Sequence, residues 1–139
     1  MSHFIKLYIS TILMLLILDG IWLGLIATAF YKNELGTMAR RQGDVLTPIW
    51  SAAVVVYLVL ALGIIWFVLP RVSPANSIMS AAAWGMAFGL VTYGVYDWTN
   101  RATLAGYSLR LTLVDMLWGG VICGVASIAA SSLDRWFKP

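Results

Sequence analysis

The chain has 139 residues, of which 61% are hydrophobic and 11% charged, with a mean hydropathy of +0.87 and a formal charge of +3. A soluble domain is typically about 45–50% apolar and about 25% charged, so this composition excludes a water-soluble core and names lipid as the solvent. The length allows one domain, 1–139, and the positive charge is no nucleic-acid signature: Lys6, Lys32, Arg40, Arg41, Arg71, Arg101, Arg110, Arg135 and Lys138 lie at the ends of apolar runs, where they reach lipid headgroups.

The first apolar run covers 4–30. It is too long for the h-region of a cleaved signal, about 7–15 residues, and is expected to be a retained span. Runs at 48–69, 77–98 and 109–131 follow, each near the length of about 20 residues that a helix needs to cross the hydrocarbon. All four are apolar on every face, whereas barrel strands alternate over about 10 residues, so helices are predicted. The expected fold is an all-α integral membrane protein, a bundle of four transmembrane helices.

The breaks between runs carry turn chemistry. Residues 31–47 hold Gly36, Arg40, Arg41, Gly43 and Asp44 and read as a loop with a short interfacial helix. Thr47-Pro48 places a capping hydroxyl before a proline at the first helical position. Pro70, Ser73, Pro74 and Asn76 end the second helix and start the third, leaving an antiparallel hairpin. Small residues four apart predict close packing of the first helix (Gly20, Gly24), the third (Ala81, Gly85, Gly89) and the fourth (Gly120, Gly124). The second helix lacks the pattern and is expected to be the most lipid-exposed. Four basic residues fall on the side of the termini and five on the other, so charge gives no orientation. Cys123, the one cysteine, allows no internal disulfide and reads as a packing residue.

Three of the six acids, Asp19, Asp97 and Asp115, fall within or at the edge of spans. A charge near the bilayer centre costs at least about 2.5–3.5 kcal/mol, so these groups face the bundle interior or a wet cavity, or carry a proton. The alternation of helix direction puts all three in the half-membrane that bears the 31–47 loop. Gly89, Tyr93, Asp97 and Asn100 form one stripe of the third helix, and Asp115, Trp118 and Gly119 share a face of the fourth. Asp19-x-x-Trp22-x-Gly24 is echoed by Asp115-x-x-Trp118-x-Gly120 on an antiparallel helix, a match too short to establish an inverted repeat. Arg101 is the expected countercharge of Asp97, with Arg110 next. Asp97 is therefore expected to be ionised, and Asp19, with no basic residue one turn away, to be the acid most often protonated at neutral pH.

The segments LDGIWLG at 18–24, FY at 30–31, YGVYDWTN at 93–100 followed by Ala102 and Leu104, and VDMLWGG at 114–120 resemble a bacterial membrane-protein family, domain of unknown function 2177. The resemblance covers nearly the whole chain. It implies a small multi-span protein of the bacterial inner (cytoplasmic) membrane, and it supplies no activity, substrate or catalytic residue.

Three functions compete. The first is binding or passage of a cation, proton or polar lipid headgroup at a pocket lined by Asp19, Trp22, Tyr93, Asp97, Asn100, Arg101, Asp115 and Trp118; hard oxygen ligands would suit sodium, magnesium or calcium. The chain is short for a complete transporter, so a homo-oligomer or a membrane-protein partner is expected beside membrane lipids. The second is a structural or accessory subunit whose acids fix helix register. The third and least favoured is a lipid-modifying or peptide-cleaving membrane enzyme. Asp97 and Asp115 are similar to the acid pair of intramembrane aspartyl proteases, but Asp115 follows Thr-Leu-Val and not Gly-x-Gly. His3, the one histidine, sits in the N-terminal tail, so no three-histidine zinc site can form. No cofactor is expected.

Overall fold

Four helices long and apolar enough to cross a bilayer run through the computed structural model, which describes residues 2–137; Lys138, counted above with the basic residues, lies outside them. Helix α1 spans His3–Ile21 and passes into a π turn at Trp22–Ile26. Here the expected single run 4–30 divides. Ala27 N–H bonds back to Trp22 O at 2.7 Å, and Thr28 Oγ1 takes the Leu23 carbonyl at 2.6 Å, so the chain leaves α1 without proline. A short helix α2, Thr28–Leu35, follows, then a small hairpin of β1 (Arg41–Gln42) and β2 (Val45–Leu46) turning at Gly43, whose φ of +61° favours glycine.

Helix α3 covers Trp50–Gly63. The expected Thr47 cap is absent: Thr47 N–H extends the hairpin to Arg40 O, and the helix starts at Trp50 with no side-chain cap. Pro70 removes a ladder donor at the far end, where the chain widens into a π turn at Ile64–Val68 and tightens into a 3-10 turn at Leu69–Arg71. Helix α4 then runs Ser77–Thr103 and α5 Leu109–Phe137.

Helix α5 is the centre of the bundle. It is the most buried span, and it packs on α4 over the largest interface, on α1, and on the π turn after α3. On α4 the predicted stripe is the contact face: Ala81, Gly85 and Gly89 are buried, and a Cβ on Gly89 would overlap the Gly119 carbonyl. Gly120 and Gly124 face α4 as expected.

The first helix behaves otherwise. Gly20 and Gly24 are exposed, with nothing within 4 Å of a Cβ built on either. The packing stripe of α1 is instead Leu7, Thr11, Leu15 and Asp19, one residue every four. The second span is also not the most exposed, since Leu60, Ala61, Ile64 and Val68 join the core with Leu15, Ile122, Cys123, Ala126 and Ala130. Gly20→Leu is therefore expected to leave thermal stability in detergent within about 1 kcal/mol of the parent, because the new side chain meets only lipid. A loss comparable to that of a Gly89 variant would show that α1 packs through its glycines after all.

Candidate functional site

The α1 stripe ends in a carboxylate. Trp118 Nε1 of α5 donates to Asp19 Oδ1 at 2.7 Å, and the Tyr57 hydroxyl of α3 donates to Oδ2 at 3.0 Å. Both oxygens of Asp19 are engaged, and one buried side chain ties three helices together.

One turn further on, the Trp22 ring stacks on Trp118, with centroids 4.4 Å apart and planes within 9°. Trp22 Nε1 donates to the Tyr31 hydroxyl at 3.1 Å, and that hydroxyl donates to Asp115 Oδ1. The D-x-x-W-x-G echo thus has a spatial counterpart. The two tryptophans lie face to face, and each leads to the other copy's acid, directly for Asp19 and through Tyr31 for Asp115.

Asp97 is fully buried. Its Oδ1 accepts from the Tyr107 hydroxyl at 2.6 Å, while Oδ2 has no hydrogen-bond partner among the described residues. The Asp97 and Asp115 carboxyls are near enough for each to act on the other's charge, and Asn100 acts on the phenols of Tyr96 and Tyr107. Tyr107 is delivered by a tight turn at Gly106, φ +86°, a conformation costly for any residue with a Cβ. Ser108 then caps α5 by accepting from Leu111 N–H at 2.9 Å, and its own hydroxyl donates to Glu34 of α2.

Tyr31 and Tyr107 lie outside the spanning helices. Burial, followed by the Asp115 charge for Tyr31 and the hydrogen bond to Asp97 for Tyr107, raises both phenols above their ordinary range. Each therefore stays protonated and remains a donor to its acid.

The structure thus gathers Asp19, Trp22, Asp97, Asn100, Asp115 and Trp118 at the end of the bundle that carries α2. Two other expected residues act differently. Tyr93 lays the base of its ring against Gly119 and keeps its phenol within reach of the Asp19 and Asp115 charges, while the phenols that hydrogen-bond to the acids are those of Tyr31, Tyr57 and Tyr107. Arg101 is not the countercharge of Asp97: its Nη1 donates to the Tyr107 carbonyl at 2.9 Å, and among the described residues no ion pair joins it to an acid. Its reach is spent on closing the turn. Arg110 pairs with Glu34 at 3.5 Å and lies over Phe30, but it is 75% exposed, so the pair contributes about 0–1 kcal/mol.

Each acid is held by donors of its own, Asp19 by Trp118 and Tyr57, Asp115 by Tyr31 and Asp97 by Tyr107, and two grooves of about 280 and 260 Å³ lie elsewhere. Among the described residues no three carboxylate, thiol or imidazole groups come together to hold a metal ion. His3 is not in a tail. It opens α1, bonds Asp134 Oδ1 through Nε2 at 2.8 Å, and lines one of the grooves at the opposite end of the bundle.

The model of the family described as predicted membrane protein, domain of unknown function 2177, matches residues 4–132. The chain belongs to this family. Like the family description, the four apolar helices make it an integral, multi-pass membrane protein. Every residue of the acid network lies inside the stretch matched by the family model. Comparison with curated proteins gives no match, and no solved structure matches either.

Proposed function

We propose that this chain is a proton-binding protein of the bacterial cytoplasmic membrane, with the Asp97–Asp115 pair as the membrane-embedded acceptor. The observation that carries the reading is Asp97 Oδ2, fully buried and without a donor among the described residues, on an acid that the Asp115 carboxyl acts upon. Two ionised carboxylates in a low-dielectric site repel strongly, and a buried acceptor without a donor costs about 1–3 kcal/mol. One shared proton relieves both. Tyr107 and Tyr31 supply one donor to each acid from the membrane face, which leaves the space between the acids for that proton.

A cation held by the three acids gains less support, since each Asp19 oxygen already accepts a hydrogen bond, from Trp118 and from Tyr57.

The test is proton uptake by the protein in detergent as the pH is lowered from alkaline to neutral, followed with a pH indicator. The parent and Asp19→Asn are expected to take up a proton that the Asp97→Asn, Asp115→Asn double variant does not. Equal uptake by the double variant would sink the reading. The second reading, an accessory subunit built around a register lock, rests on Asp19 alone, whose two donors come from two different helices. On that reading co-purification of a membrane-protein partner or of a homo-oligomer is the expected readout.

A further inference from the structure

At the end of the bundle away from the acids, the turn between α3 and α4 leaves a fixed cation beside an apolar groove. Arg71 folds back after Pro70: its Nη1 donates to the Phe67 carbonyl at 2.6 Å, and its guanidinium sits over the Trp84 ring, 5.8 Å from the centroid. These two contacts orient the guanidinium while the residue stays exposed, and one of its five N–H groups is used by Phe67. From it runs a groove of about 260 Å³ lined by Phe67, Trp84, Ala87, Phe88 and Val91. The α4 members are spaced three, one and three residues apart on one face, so the groove extends about 10 Å along the helix. It opens on the outer surface of two membrane-spanning segments, where the medium is acyl chains.

We propose that this groove binds an anionic phospholipid, with an acyl chain against Phe88 and Val91 and the phosphate on Arg71. Charge complementarity selects the occupant. Apart from Arg71 the lining is apolar, and a planar guanidinium anchored on an aromatic ring suits two phosphate oxygens better than a mobile ammonium does. A zwitterionic lipid offers the same chain but sets a positive headgroup near the same cation.

The test is native mass spectrometry of the detergent-solubilised protein titrated with phosphatidylglycerol and with phosphatidylcholine of identical acyl chains. The parent is expected to bind phosphatidylglycerol about tenfold more tightly, the size of one good charge-assisted contact. Arg71→Gln should bring the two lipids level. Ala87→Trp, at an exposed position away from the core, should fill the groove and weaken both. Equal binding of the two lipids by the parent, a preference that survives in Arg71→Gln, or unchanged binding in Ala87→Trp would each overturn the site.

Discussion

Gly89→Val is expected to be among the most damaging single substitutions in the bundle. A Cβ at Gly89 would overlap the carbonyl carbon and oxygen of Gly119 and come within 2.9 Å of the Cys123 Cβ. Backbone atoms cannot rotate away, so α4 and α5 must separate along the largest interface of the molecule. In lipid, helices are held by close van der Waals contact and not by expulsion of water, so separation is not offset by any hydrophobic gain. The expected loss is about 2–4 kcal/mol, read as a fall in the detergent melting temperature and as protease sensitivity. Gly124→Ala supplies the contrast. Its Cβ would sit at an ordinary 3.4 Å from the nearest atom, and stability should stay close to the parent.

The second large effect is at Asp19. Asp19→Leu leaves the Tyr57 hydroxyl and the Trp118 indole N–H without an acceptor where water is scarce, at about 1–3 kcal/mol for each stranded donor. Both donors are half-buried, and polar contacts between helices in membranes average about 0.6 kcal/mol with a maximum near 1.7. The expected total is therefore about 2–3 kcal/mol. Asp19→Asn keeps one acceptor and should lose about 1 kcal/mol. A double-mutant cycle with Tyr57→Phe separates the two donors. If Asp19→Leu is as stable as the parent, the three-helix tie is not holding α1 in place.

The legible and illegible parts of this fold divide along a physical line. Span existence follows from continuous apolar length, which needs no knowledge of partners. The α4 stripe was legible because small residues and the polar end share one helical face, from Ala81 through Gly89 to Asp97. Gly20 and Gly24 show the limit of that signal: small residues permit close approach, but nothing in α1 says where a neighbouring helix lies. The actual stripe of α1, from Leu7 to Asp19, was hidden among equally apolar neighbours.

Within the network, helical spacing brought the acids, Trp22 and Trp118 together. The donors were harder. Tyr31 arrives on a short helix after a π turn, and Tyr107 arrives on a glycine turn; neither position has a periodicity to read. Their one sequence signal is that both lie in the connections on the acid-bearing face. Arg101 was misplaced for the same reason, since the turn at Gly106 brings the Tyr107 carbonyl to its guanidinium before it can reach Asp97.

Infrared difference spectroscopy of the reconstituted protein, across a pH titration, tests the shared proton most directly. At neutral pH the parent should show a protonated carboxyl C=O band that shifts on deuteration. Asp97→Asn should abolish it, because the new carboxamide can donate to Asp115 and leave that acid ionised. Asp19→Asn should leave the band in place. A spectrum without the band at neutral pH, or a band that vanishes with Asp19→Asn and survives Asp97→Asn, would contradict a proton held between Asp97 and Asp115.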